Sequence, residues 1–262
     1  MINTIDRFLN GITMYRLVLY YLFGLLIVAV SAGFLGILPY SGVFIISSGL
    51  FILAICLIAN FIFAWAYDAK INLESAYNGY FLIAFWGSVW AMASKYIFAI
   101  NKKHVFNPAA LAVVLVEVAL HQSASWWIGT AVMFPFVLVG GLLLVRKMRR
   151  FDFVVSFLIT VFIFSLIPHL GNINAFLKAS KFFFLISPIF FLAFVMLTEP
   201  LTTPPKRWLR VVYGAMVGLL SVPATHFGSF NFTPELALLV GNIYAYLVSP
   251  KQKLILSLQE KQ

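Results

Sequence analysis

A polar, proline-rich cluster interrupts the apolar chain at Met196–Arg210, MLTEPLTTPPKRWLR. Its three prolines lack the amide hydrogen that a helix needs, so the apolar run before them has to end here. The hydroxyls of Thr202 and Thr203 can satisfy backbone groups that this break leaves free. Broken backbone within a membrane is tolerated only where protein buries it or where it lines a cavity. Glu199, a carboxylate beside Pro200, is therefore a candidate binding residue, and an ordinary loop between two helices is the alternative.

Asn107 and Pro108 open a short apolar helix that the sequence predicts to end before His121. Asparagine is a good N-cap, and proline suits the first helical position. The free backbone amides at such a helix start favour an anionic or electron-rich ligand group. Asn107 and Pro108 are therefore candidate binding residues, although a plain capping role also explains Asn107. Thr233 opens a second short helix, Pro234–Val248, in the same way.

The composition indicates an integral membrane protein. Hydrophobic residues make up 63% of the 262-residue chain and charged residues only 10%, with a mean hydropathy of +1.00, whereas a soluble domain is about a quarter charged. The net charge of +10 does not indicate nucleic acid, because the cations cluster at helix ends as the positive-inside rule expects. The single cysteine, Cys56, excludes a disulfide framework or a four-cysteine metal site made by this chain alone.

The sequence predicts ten membrane segments behind a cytoplasmic surface segment, residues 1–16. Two long spans come first, and a short outer loop is expected at His169–Lys181. The predicted spans, apart from the stretch between Glu74 and Ile100, are Leu17–Leu38, Val43–Tyr67, the helix from Asn107, Trp126–Val145, Phe153–Ile167, Phe182–Leu197, Leu209–Val222 and Pro234–Val248. Each is apolar, and the short ones fall below the roughly 20 residues of a full crossing.

Glu74–Ile100 is either one long helix or a hairpin of two short segments that meet near Gly87. The hairpin places all of the 18 lysines and arginines except Lys178 and Lys181 on the same side of the membrane. The positive-inside rule therefore favours the hairpin, with both termini cytoplasmic. It also divides the chain into two sets of five segments of opposite orientation, each closed by a proline-started helix.

The predicted fold is thus an all-α polytopic membrane protein, a five-plus-five inverted repeat with short or broken helices. In such repeats the N-termini of discontinuous helices point at a central binding site. The predicted division of the chain is the cytoplasmic segment 1–16, a transmembrane domain over 17–250 and the start of a cytoplasmic extension over 251–262.

Four stretches resemble one family of membrane proteins in matching order: FNPAALAVVLV, LTEPLTTPP followed by YGAMVGLL, FTPELALLVGNIYAYLVSP, and a weaker ESAYNG at Glu74–Gly79. The family comprises the membrane protein NqrB of the sodium-translocating NADH:quinone oxidoreductase and the membrane protein RnfD of the Rnf electron-transport complex. The similarity runs from about residue 40 to residue 250.

The resemblance implies an electron-carrying subunit with a non-covalent flavin, riboflavin or FMN, inside the membrane. By motif position the flavin-binding residues would be Asn107, Pro108, Glu199, Pro200, Thr202 and Thr203. Family members also carry an FMN on a threonine of a Ser-Gly-Ala-Thr loop. That motif is absent, since only His121–Ser125 stands in its place, so covalent FMN is not expected. Neither a metal site nor a residue in a catalytic role is predicted.

The polar, alternating stretch Lys253–Gln262 reads as a strand and resembles the first strand of a ferredoxin–NADP reductase-like domain. This resemblance implies the membrane part of an NAD(P)H-dependent oxidoreductase, with a cytoplasmic flavin reductase fused to it or separate. The expected location is the inner membrane of a prokaryotic cell.

The function that follows is transmembrane electron transfer. Electrons would pass from the cytoplasmic flavoprotein through the membrane-bound flavin to an acceptor at the outer side, such as an extracytoplasmic redox protein. The alternative is a channel or transporter for a small polar solute, because inverted repeats with half-helices serve transport equally well.

Overall fold

The structure, a computed structural model, describes residues 2–66, 81–100, 103–121, 126–185, 188–223, 225–227 and 230–249. In the first half of the chain, the helices are α1 (Ile2–Asn10), α2 (Met14–Phe34), α3 (Gly42–Ala66), α4 (Phe81–Ile97) and α5 (Pro108–Leu120). In the second half, they are α6 (Phe134–Met148), α7 (Phe151–Leu166), α8 (Ile173–Leu185), α9 (Ile189–Phe191), α10 (Arg207–Leu220) and α11 (Pro234–Val248).

The all-α polytopic membrane fold is confirmed. Three described helices are long and apolar enough to cross a membrane by themselves: α2, α3 and Phe151–His169, which is α7 with its 3₁₀ extension. A fourth crossing can be formed by α8 together with Ile189–Met196, two pieces that meet at an angle of 49°. The short apolar helices α5 and α11 complete the mixture of long, short and broken segments that the sequence predicts.

Two boundaries differ from the prediction. α4 runs unbroken through Gly87, so the predicted junction of two segments there is wrong. An added Cβ at Gly87 would meet nothing within 4 Å, and a single glycine weakens a helix by about 1 kcal/mol without ending it. The predicted outer loop is also wrong in part, since α8 occupies it from Ile173. Asn172 caps this helix, because its Oδ1 accepts the amides of Asn174 at 3.0 Å and Ala175 at 3.2 Å.

Several predictions fall outside the described residues. The first arm of the predicted hairpin lies mostly in 67–80, and the strand-like extension in 251–262. The loop in which the covalent FMN motif was sought includes 122–125. The boundaries of the predicted domain division are not tested.

The order of packing repeats between the two halves. In the first half α3 packs on α4 and α4 on α5, and in the second α7 packs on α10 and α10 on α11. A short antiparallel hairpin precedes each of the last helices: β1 (Ala99–Ile100) pairs with β2 (Lys103–His104), and β3 (His226–Phe227) pairs with β4 (Phe230–Asn231). The sequence predicts the two proline-started helices, whereas neither hairpin was expected.

A very close helix contact joins α7 and α10. A Cβ added at Gly214 would lie 2.7 Å from the carbonyl oxygen of Phe153, and one at Gly218 would lie 2.9 Å from that of Phe157. The two glycines are four residues apart and therefore share one face of α10. Small residues at this spacing let helix backbones approach closely, which is a main source of packing energy between membrane helices.

Candidate functional site

The predicted break and the predicted helix start lie against each other. The helical conformation after α9 ends in a π-helical turn, Leu192–Met196, and Pro200 then opens a 3₁₀ turn over Pro200–Thr202. The side chain of Glu199 between them points to the start of α5. Its Oε1 lies 2.8 Å from Nε2 of His104, and its Oε2 accepts a hydrogen bond from Nδ2 of Asn107 at 2.9 Å.

Asn107 works as a cap and as a bridge. Its Oδ1 accepts the amide of Ala110 at 3.0 Å, which confirms the predicted N-cap of α5. Its Nδ2 reaches Glu199 and also the carbonyl oxygen of Met196 at 3.3 Å. A single buried amide thus ties the start of α5 to the end of the broken segment.

Asn242, in the second half of α11, completes this group from a third direction. Its Oδ1 accepts the backbone amide of Asn107 at 2.7 Å, and its Nδ2 donates to the hydroxyl of Tyr213 at 2.8 Å and to the carbonyl of Thr202 at 3.4 Å. Asn242 and Tyr213 are fully buried. We call His104, Asn107, Glu199, Thr202, Tyr213 and Asn242 the Glu199 cluster.

Arg150, which precedes α7, fixes the other side of the break. Its guanidinium donates to the carbonyl of Thr198 at 3.2 Å and to the hydroxyl of Thr203. Thr202 and Thr203 are buried, and the Thr202 hydroxyl lies 3.4 Å from Oε2 of Glu199. The expectation that these hydroxyls satisfy polar groups near the break is therefore confirmed.

The structure brings five of the six predicted binding residues directly into this region, and Pro108 adjoins it as the first residue of α5. In the arrangement described, both carboxylate oxygens of Glu199 and the amide groups of Asn107 and Asn242 bind protein partners. This mutual hydrogen bonding gives the cluster a clear structural role in joining α5, the broken segment, α10 and α11. Its role in cofactor binding stays a prediction.

A cavity of about 240 Å³ lies at the opposite end of α5. Apolar side chains and prolines form most of its wall, and two carboxylates, an indole and a threonine are the polar exceptions. Its lining residues are Val113, Glu117, Trp126, Pro188, Ile189, Leu192, Thr233, Pro234 and Glu235. We call it the Glu235 cavity.

Glu235 belongs to the first turn of α11 and is only 5% exposed. Nε1 of Trp126 donates a hydrogen bond to its Oε1 at 2.8 Å. A carboxylate at a helix start is also favoured by the positive end of the helix dipole. Thr233, the N-cap of α11, accepts the amide of Leu236 at 3.3 Å, so the helix start is capped without Glu235.

The two proline-started helices run in opposite directions past each other. Asn107 at the start of α5 contacts Asn242, which lies eight residues into α11, or about 12 Å along its axis. Glu117 near the end of α5 faces the start of α11 across the Glu235 cavity. The two helix N-termini therefore lie at two separate places, whereas the inverted-repeat pattern led us to expect one shared central site.

Several residues of these two places were not predicted from the sequence. Trp126 was interpreted as an interfacial anchor, although it holds Glu235. The acidic residue in the first turn after a capping threonine was a usable signal for Glu235. Asn242 and Tyr213 gave no local signal, because their partners are distant in sequence. Among the residues described, no group of three histidine, cysteine or acidic side chains is placed to hold a metal ion.

Similarity to known proteins covers the second half of the chain. The profile of the NQR2, RnfD, RnfE family matches residues 119–253, about half of the chain. The matched range contains α6 to α11, the break after Met196 and one wall of the Glu235 cavity. No curated protein sequence gives a significant match.

Proposed function

The chain belongs to the NQR2, RnfD, RnfE family of membrane subunits of electron-transport complexes, and we propose that it carries electrons across the membrane through a bound flavin. The donor would be a cytoplasmic NAD(P)H-linked flavoprotein, fused to this chain or separate, and the acceptor would lie at the outer side. The observation that supports this proposal most directly is the Glu235 cavity within a member of this family.

The residues of the cavity suit a flavin ring. The ring is flat and largely apolar on its two faces, with hydrogen-bonding atoms along one edge. Ligand sites commonly combine apolar walls with a few convergent polar groups, and here Val113, Ile189 and Leu192 provide walls while Glu235 and Thr233 provide acceptors. At about 240 Å³ the cavity is slightly smaller than the roughly 300 Å³ of typical ligand pockets, which suits the ring rather than a whole nucleotide.

The protein's own contribution would be to position the flavin and to set its electrostatic surroundings, while the bound flavin would supply the redox chemistry. Trp126 would hold the Glu235 carboxylate in place through its indole N–H. The start of α11 would add the positive end of a helix dipole beside that carboxylate. The Glu199 cluster would keep α5 and α11 in register, so that Glu117 and Glu235 stay on opposite sides of the cavity.

Filling the cavity should remove the flavin. We expect Val113→Trp to lower the flavin content per polypeptide to a small fraction of the unaltered value, because the indole would occupy the space of the ring. The control is Val118→Trp on the same helix, at a side chain that is 68% exposed, which should keep its flavin. Flavin is measured by fluorescence after extraction from purified protein, with thermal unfolding as a check on folding.

Glu199→Gln, measured in the same way, decides between the two places for the flavin. Retention of flavin by Glu199→Gln together with loss in Val113→Trp supports the cavity. The reverse result would move the flavin to the Glu199 cluster, as the family resemblance implies.

Electron transfer itself can be measured in sealed vesicles that contain the protein, with ferricyanide inside and dithionite outside. An ionophore prevents charge from accumulating. We expect ferricyanide to be reduced faster than in protein-free vesicles, and more slowly with Val113→Trp than with Val118→Trp. Flavin-loaded protein that gives no acceleration would contradict electron transfer and would favour a channel or transporter on the same fold.

A further inference from the structure

A second cavity, of about 360 Å³, lies where the end of α6 meets the starts of α7 and α10. Four arginines dominate its wall, together with one aspartate and one phenylalanine. The lining residues are Arg146, Arg149, Phe151, Asp152, Arg207 and Arg210. We call this cavity the arginine cleft, and it takes no part in the proposed path of electrons.

Nearby carboxylates neutralise only half of its charge. Arg146 forms two hydrogen bonds to Asp6 of α1, at 2.8 and 2.9 Å, and these lower the pKa of the Asp6 carboxyl. Asp152 accepts a hydrogen bond from Nε of Arg207 at 3.1 Å and lies 3.9 Å from Nη2 of Arg210. Four positive and two negative groups leave the cleft with a net charge of +2.

One hydrogen-bond donor in the cleft lacks an acceptor. Nη1 of Arg210 donates to the carbonyl of Pro205 at 2.7 Å, but its Nε is buried and has no partner in the part of the chain that the structure describes. Buried polar groups are nearly always hydrogen-bonded, and a charged donor without an acceptor is especially unfavourable. An anionic oxygen bound in the cleft can supply the missing acceptor.

The cleft also adjoins surface that is suited to lipid. Phe151 lines it and is 45% exposed, and Val155 lies one turn further along α7 and is equally exposed. On α10 the large apolar side chains of Trp208 and Val212 are exposed as well. These helices belong to the membrane domain, so their exposed apolar faces lead from the cleft into the region of acyl chains.

We propose that the arginine cleft binds a phosphate group, supplied by the headgroup of an anionic phospholipid whose acyl chains lie along α7 and α10. Guanidinium groups bind phosphate oxygens in a two-pronged geometry that lysine cannot reproduce. The starts of α7 and α10 add backbone dipoles of the favourable sign. A soluble phosphate compound shares the charge but has no use for the adjoining apolar faces. A convex acidic protein surface matches a concave cleft less well.

The test measures binding of phosphatidylglycerol to the full chain in detergent, by native mass spectrometry during titration. We expect Arg149→Gln/Arg207→Gln to weaken binding about tenfold or more, because charge-assisted hydrogen bonds are the strong class. Both side chains are exposed, so folding should be retained. The control, Lys178→Gln/Lys181→Gln, removes the same charge from exposed positions on α8 and should leave affinity unchanged. Arg210→Lys keeps the charge but removes the unpartnered Nε, and it should also weaken binding.

Competition identifies the source of the phosphate. Displacement of phosphatidylglycerol by inorganic pyrophosphate at equal concentration would support the phosphate site but assign it to a soluble ligand. Failure of pyrophosphate to displace the lipid, with loss of binding in the cleft variants, supports the lipid. Equal affinity of cleft variants and control would overturn the proposal. Binding of poly-glutamate but of neither phosphate compound would also overturn it, in favour of an acidic protein partner.

Discussion

Asn242→Ala should produce the largest loss of stability of any single substitution considered, a fall of about 10 °C in the apparent Tm of the purified protein. The substitution leaves the Asn107 amide and the Tyr213 hydroxyl without their buried partners. Each unsatisfied buried group costs roughly 1–3 kcal/mol, and 1 kcal/mol shifts Tm by about 2–4 °C for a chain of this size. The same change loosens the crossing of α5 and α11, so we also expect a lower flavin content.

The matched control is Ile243→Ala, the next residue of the same helix, which is 46% exposed. It shortens an apolar side chain without touching the Glu199 cluster, and a shift of no more than about 2 °C is expected because surface substitutions usually change stability by less than about 0.5 kcal/mol. Equal shifts for the two variants would show that the hydrogen bonds of Asn242 contribute little.

Gly214→Ala should separate α7 from α10. The added methyl group would lie 2.7 Å from the carbonyl oxygen of Phe153, so the two backbones must move apart or bend. Overpacking of this kind costs about 1–3 kcal/mol. We expect an apparent Tm about 5 °C lower, and a greater fall for the Gly214→Ala/Gly218→Ala double variant, which affects both close approaches.

Gly24→Ala is the control for this prediction, because an added Cβ at Gly24 in the interior of α2 meets nothing within 4 Å. Alanine is favoured over glycine in a helix by about 1 kcal/mol, so this variant should be as stable as the unaltered protein or slightly more stable. If both alanine variants behaved alike, the contact of α7 with α10 would not depend on the absence of a side chain at Gly214.

Local chemistry made several features predictable. The Asn107 and Thr233 caps and the break at Pro200 follow from backbone rules that act over a few residues. Glu199 was singled out because it is a charge beside that break, and the structure places it at the start of α5. A compositional signal as strong as this one also makes the membrane class evident without any structure.

Features that depend on tertiary contact were not predictable in the same way. Asn242 is separated from Asn107 by 135 positions, and no local pattern links the two. The helix from Ile173 and the continuity of α4 through Gly87 were missed because charge placement and a glycine were given more weight than helix propensity. The spacing of Gly214 and Gly218 was visible in the sequence, but its meaning depends on which helix lies opposite.

A non-covalent flavin inside the membrane domain is tested most directly by an absorbance spectrum of the purified protein in detergent, before and after acid denaturation. We expect a flavin spectrum, with the pigment released into the supernatant when the protein unfolds. Pigment that stays on the precipitated chain would reveal covalent attachment. Fully folded protein without a flavin spectrum would contradict electron transfer through a bound flavin.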